Sequence, residues 1–167
     1  MKDKTQTHKQ QSYGFTCVKC RQPVPEAHIE IGTDHRDHCP FCLYSRHVDQ
    51  DKPGDRKSTC KSKMKPIGLT FKNNSWELMI VYECLGCGKI IKNRCAGDDA
   101  PFALIDVFRL SLKLLQSDMR TKVYINKLKQ EHIEIASREN TDKILNGIYG
   151  VGYVPNEIHN EFGISVV

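Results

Sequence analysis

Apolar residues follow two rhythms along this chain, and the change falls near Asp98-Asp99. Before it they come in short alternating runs, the period of a half-buried strand; after it they recur every three or four residues, the period of an amphipathic helix. Phe15-Thr16-Cys17-Val18 reads as a short strand entering a turn, and Val24, Ile29 and Ile31 mark one or two more strands before a turn at Gly32-Thr33. Residues 67–72 and 76–83 read as two strands joined through Asn73-Asn74, a hairpin signal, and residues 89–92 return as a third. Residues 49–66 are polar and basic and predict a loop. In the second part Ile105, Phe108, Leu112, Leu115 and Met119 share one helix face, with Asp98 or Asp99 as its cap and Pro101 in its first turn. A second helix is predicted from about residue 121 to 137 on Tyr124, Leu128 and Ile135. A third, short one is predicted over 143–148 behind Thr141-Asp142, ending where Gly147, Gly150 and Gly152 crowd together. Residues 151–167 read as irregular, with a strand at the end, and the polar residues 1–12 as disordered.

The strand-rich part is too small and too poor in large apolar residues to hold together by burial alone. What it has is cysteine. All eight cysteines lie there, six of them as Cys17-x-x-Cys20, Cys39-x-x-Cys42 and Cys84-x-x-Cys87, with Cys60 between the second and third pairs. Zinc takes four soft or borderline ligands in a tetrahedron, and a Cys-x-x-Cys turn supplies two adjacent corners. Eighteen residues separate Cys20 from Cys39, within the spacing of about 15–20 found in zinc ribbons. That favours one site of Cys17, Cys20, Cys39 and Cys42 and a second of His47, Cys60, Cys84 and Cys87. A nested arrangement, joining Cys17 and Cys20 to Cys84 and Cys87 around Cys39, Cys42, His47 and Cys60, uses the same donors and stays open. His38 is sterically tied to its neighbour Cys39 and is expected beside the metal rather than on it. Cys95 has no paired partner and reads as a small buried side chain.

The expected fold is therefore α+β: a small antiparallel, zinc-ribbon-like domain over residues 13–97 with two Zn2+ ions, then a helical C-terminal extension over 98–167. Each structural zinc contributes roughly 10–16 kcal/mol of apparent folding free energy. No apolar run approaches the roughly 20 residues that cross a bilayer, and residues 1–12 lack the apolar core of a signal peptide. A cytoplasmic location and no membrane partner are expected. There thiols stay reduced, which again points to metal rather than disulfides.

Charge divides the chain at the same place. Residues 1–97 carry 17 Lys and Arg against 10 Asp and Glu, whereas residues 98–167 carry 8 against 10. The basic part suits an anionic partner, and RNA or a ribonucleoprotein is the leading expectation, met by Arg21, Arg36, Arg46, Arg56, Lys57, Lys61, Lys63 and Lys65 on rigid loops. Tyr44, Phe71 and Trp76 offer stacking faces, although Phe71 and Trp76 are also wanted as the core of the hairpin. A lysine-rich solvated surface is the plain alternative. A second expectation is a protein adaptor using residues 102–119 as a partner helix. A third is a metal-dependent nuclease, drawing acid–base groups from Asp34, His35, Asp37, His38, Asp49 and Asp55. Cysteines numerous enough to close both sites, with no hydrolytic nucleophile motif, disfavour the third.

The stretch Arg36-Asp37-His38-Cys39-Pro40-Phe41-Cys42-Leu43-Tyr44-Ser45-Arg46-His47-Val48-Asp49, followed by Pro53-Gly54-Asp55-Arg56 and Cys60, resembles the RNHCP family, named for an Arg-Asn-His-Cys-Pro signature. The resemblance covers about residues 15–97, through Phe15-Thr16-Cys17-x-x-Cys20, Met64-x-Pro66-x-Gly68-Leu69, Cys84-x-x-Cys87-Gly88 and Asn93-Arg94. Asp37 stands where the signature has Asn, and Arg21 stands where Gly usually follows the first pair. The resemblance implies a small zinc-binding domain and carries no activity with it. It leaves Cys95 outside the shared pattern and does not extend to residues 98–167.

Overall fold

The computed structural model describes residues 13–26, 31–32, 35–52, 54–73, 75–116 and 119–163. The expectations for residues 1–12, Ile29, Asp34 and the final strand fall outside them. Two antiparallel sheets form. β1 (Tyr13–Thr16) pairs with β2 (Pro23–Pro25), and β3 (Ser45–Arg46), β4 (Lys63–Phe71), β5 (Leu78–Cys84) and β6 (Ile90–Arg94) make a four-stranded meander in that order. Four α-helices follow among the described residues: α1 (Pro101–Leu115), α2 (Met119–Gln130), α3 (Thr141–Tyr149) and α4 (Asn156–Phe162).

β5 is buried along nearly its whole length because both of its faces are used. Leu78, Ile80, Tyr82 and Cys84 alternate onto one face, where they join Leu69, Leu104, Val107, Phe108 and Ile144. Val81 points to the opposite face and joins Ile67, Ile90, Leu128, Ile133 and Ile135. The helices thus supply the apolar layers that the strand-rich half lacks. They also close a sheet edge: the Leu69 N–H donates to Ser111 Oγ at 2.7 Å, and the Leu69 carbonyl accepts from the Ala136 N–H at 2.8 Å. An uncovered edge would be a template for pairing with another chain.

Several expectations change. α2 ends at Gln130 rather than near 137, because His132 takes φ +53 and the chain then runs along β4. Leu115 is exposed and Met119 belongs to α2, so the predicted stripe of α1 stops short. Neither Asp98 nor Asp99 caps α1; its N-cap is Ala100, and Pro101 does open the helix. α4 was not expected. It docks through Ile158 on Ile105 and Leu145, through Phe162 stacked at 5.4 Å on Phe108, and through a Glu161–Arg109 ion pair. Trp76 is 72% exposed, hence not a core residue. The hairpin is held from outside, with Lys143 Nζ 3.9 Å from the Phe71 ring and 4.9 Å from the Trp76 ring.

Candidate metal centres

The three Cys-x-x-Cys turns are built alike. In each, the first cysteine accepts at its carbonyl from the N–H four residues on: Arg21 to Cys17 (3.2 Å), Leu43 to Cys39 (2.8 Å) and Gly88 to Cys84 (2.9 Å). The same three cysteines donate their own N–H to the carbonyl five residues on, those of Gln22, Tyr44 and Lys89. Closing so tight a loop forces the residue after the second cysteine into the left-handed region, at φ +65 for Arg21, +60 for Leu43 and +71 for Gly88. Lys61, after Cys60, does the same at φ +51. Only glycine takes this conformation without steric cost. This geometry, rather than any side chain, explains why Gly88 follows Cys87.

Among the described residues two groups of four donor atoms result, each with its members within 4.8 Å of one another: Cys17, Cys20, Cys39 and Cys42 in one, His47, Cys60, Cys84 and Cys87 in the other. The grouping is the sequential one and not the nested one. Within the first, Cys17 Sγ lies 3.5 Å from Cys42 Sγ, and Cys20 Sγ lies 3.6 Å from Cys39 Sγ. In the second, Cys60 and Cys84 sulfurs are 3.6 Å apart and Cys87 Sγ is 3.3 Å from His47 Nδ1. A tetrahedral ion with bonds of about 2.3 Å to sulfur sets its ligands about 3.8 Å apart along an edge. A disulfide would require about 2.05 Å. The donor sets therefore fit a four-coordinate cation and are not disulfides.

Electrostatics agree with the geometry. Burial raises the Cys17 thiol, but the N–H groups of Cys20 and Lys19 and the neighbouring thiols outweigh it and bring its pKa to about 7. Hydrogen bonds from Ser62, then His47 and Cys84, bring Cys60 to about 6. Burial pushes Cys42 up to about 11, and raises Cys39 and Cys84 as well. Each group thus pairs one ready thiolate, Cys17 or Cys60, with thiols held up by burial, Cys39 and Cys42 in the first and Cys84 in the second, and a divalent cation is what lets those raised thiols ionise. Cys95 stays apart, its thiol raised mainly by burial.

Beside these groups the signature residues do other work. His38 Nε2 sits 2.9 Å from both Asp99 carboxylate oxygens, and Asp99 also accepts the Ala96 N–H at 2.7 Å. His38 Nε2 thus pairs with Asp99 and not with a cysteine. Arg36 is buried and paired with Asp98, so it is not on an exposed basic loop. Arg21, Arg46, Arg56, Lys57, Lys61, Lys63 and Lys65 are exposed. The suggested acid–base groups organise a loop: Asp55 accepts N–H groups from Lys57, Gln50, Asp51 and Lys52, Asp49 accepts those of Gly54 and Arg56, and Asp37 pairs with Arg56. Sequence reasoning missed Asp99 and Ser62. Asp98-Asp99 carries a signal, two adjacent carboxylates before a helix, but in sequence alone it has the look of a cap.

A family model for the RNHCP domain matches residues 12–105, more than half of the chain. The chain belongs to the RNHCP family. The RNHCP match includes both groups of metal-type donors and runs past the Asp98-Asp99 pair into the first turns of α1, further than the motifs alone suggested. The Asp99 contact of the RNHCP signature histidine therefore lies within the family's own span. No curated protein and no solved structure matches the chain. No helix among the described residues is long and apolar enough to cross a membrane.

Proposed function

We propose that this protein is a zinc-stabilised binding module that holds two Zn2+ ions and engages RNA or a ribonucleoprotein through its basic loops. The observation that carries the zinc reading is the pair of four-donor groups at tetrahedral edge lengths. All-thiolate and Cys3His sets suit zinc, and four protein ligands close the coordination sphere as structural sites do. His47 enters through Nδ1. When bound, the ions supply cross-links between distant segments. The protein's own residues align the thiolates and fix the loops between them. Cytoplasmic thiols stay reduced and would keep these ligands available.

The RNA reading is supported by the layout of charge. Arg46 and Lys63 are direct cross-strand partners, both exposed, and Lys65 lies on the same side of β4 two residues on. Lys57 and Lys61 flank the loop beside them. Such a surface meets phosphates and releases counterions. An adaptor role for α1 is less favoured, since its Leu104, Val107 and Phe108 are already built into the core.

Metal analysis of the full chain, with RNA binding followed against salt, tests both parts. Two zinc ions per chain and a steep loss of RNA affinity with salt, abolished by Lys61, Lys63 and Lys65→Glu together, are expected. A chain that folds without metal, or RNA binding that ignores salt, would count against the respective part.

A further inference from the structure

The N-terminal hairpin and the segment after the second cysteine turn enclose a cleft of about 500 Å³. Phe15, Val18, Tyr44 and Val48 give it apolar, partly aromatic walls. Among the described residues three arginines, Arg36, Arg46 and Arg56, line the same space against one acidic residue, Asp37. They differ in how they are held. Arg56 pairs with Asp37 and reaches Asp49 at 3.9 Å. Arg36 gives Nη2 to Asp98, while its Nε and Nη1 are buried with no acceptor among the described residues. Arg46 is exposed and has no acidic partner among the described residues.

Buried guanidinium donors without acceptors are uncommon and call for an explanation. An anionic oxygen is the partner they fit, and guanidinium groups meet phosphate oxygens in a planar fork. The aromatic walls suit a flat ring beside that anion. We propose that this cleft binds one nucleotide unit of an RNA strand, its phosphate drawn to Arg36 and Arg46 and its base lodged against Tyr44 and Phe15. A phosphorylated tyrosine has similar chemistry, but the positive surface does not end at the cleft. Lys63 stands opposite Arg46, and Lys57 and Lys61 adjoin Arg56, an arrangement suited to phosphates in series. The inference rests on the RNA reading above and gives it a position. That position is tied to both donor groups: the walls come from residues 14–18, which contain Cys17, and from residues 44–48, which follow Cys42 and contain His47.

The test titrates the full chain, its metal content measured, with uridine 5′-monophosphate, uridine, inorganic phosphate, phosphotyrosine and a short single-stranded RNA. The nucleotide is expected to bind more tightly than uridine or phosphate alone. Arg46→Ala should weaken it at least tenfold at unchanged metal content and melting temperature, and Arg46→Lys should weaken it less. Nucleotide binding indifferent to Arg46→Ala, or no nucleotide binding at all, overturns the proposal. Tighter binding of phosphotyrosine overturns its ligand class. RNA binding that responds to the lysine substitutions but not to Arg46→Ala leaves the RNA reading standing and removes the cleft from it. Nucleotide binding with no RNA binding sinks the RNA reading and the strand occupant together, while the pocket chemistry survives.

Discussion

His38 and Asp99, sixty-one residues apart, meet inside the protein with the imidazole Nε2 2.9 Å from both carboxylate oxygens. Arg36 and Asp98 pair alongside them. Two adjacent residues before α1 thus clamp two residues of the signature, and Ala100 donates its N–H to the Pro40 carbonyl at 2.9 Å in the same region. The contact joins the first donor group to the helical layer. Asp99→Ala strands the buried imidazole and the Ala96 N–H, and should cost about 1–3 kcal/mol of stability. Denaturant unfolding at unchanged metal content is the check; loss of one metal ion instead would make His38 part of the metal site.

Gly86 lies in the third cysteine turn where a Cβ would fall 2.2 Å from Ser62 Oγ, 2.7 Å from Ser62 Cβ and 3.3 Å from Cys60 Sγ. Gly86→Ala must displace a ligand cysteine or the serine that bonds it. The variant is expected to retain one metal ion in place of two, counted by native mass spectrometry. Full occupancy at wild-type affinity would show that the turn can yield.

Arg21 occupies the left-handed position after Cys20 that Gly88 fills after Cys87. An L side chain there costs about 1–2 kcal/mol, in part offset by the extra freedom glycine has when unfolded. Arg21→Gly should therefore stabilise the first site by about 1 kcal/mol, seen as slower metal loss to a chelator. Arg21→Ala should give no such gain, which separates backbone strain from the loss of charge.

Acid should act on the loop between His47 and Cys60 late. N–H groups of Lys57, Gln50, Asp51 and Lys52 hold the Asp55 carboxyl well below the usual carboxylate range. Its folded pKa lies below the unfolded one, so the stabilisation is complete above about pH 4 and is lost only as pH falls through the depressed value. Amide chemical shifts of those four residues should stay flat from neutral pH to below 4. A transition at the ordinary aspartate value would mean that the cage is not formed in solution.

Residues 13–97 alone should not make a monomeric folded domain even with zinc. Cutting before Asp98 removes the partners of His38 and Arg36 and bares Leu69, Ile80 and Tyr82, which pack against α1 and α3. Light scattering of the zinc-loaded fragment is expected to show association; a monodisperse fragment with two zinc ions and dispersed amide resonances would contradict this.

Much of this architecture was legible without coordinates because it is local. A Cys-x-x-Cys turn is set by its own few residues, and so is a helical stripe such as Ile105 and Phe108. Contacts across long separations were not. Period-two patterning cannot say that β5 is covered on both sides, so it leaves Trp76 open as either a stacking face or hairpin core, and only the helices packed on the sheet remove the second. Basic character could not tell Arg36, buried against Asp98, from Arg46, which is exposed; the two differ in tertiary partner and not in residue type.

From sequence alone came the donor atoms, their arrangement in pairs, the switch from strands to helices and the family. These depend on covalent spacing and side-chain chemistry, which act over a few residues. Folding alone decided which pairs share a site, what His38 holds, and that the helices complete the sheet, since each of these compares the free energies of segments tens of residues apart competing for the same neighbours.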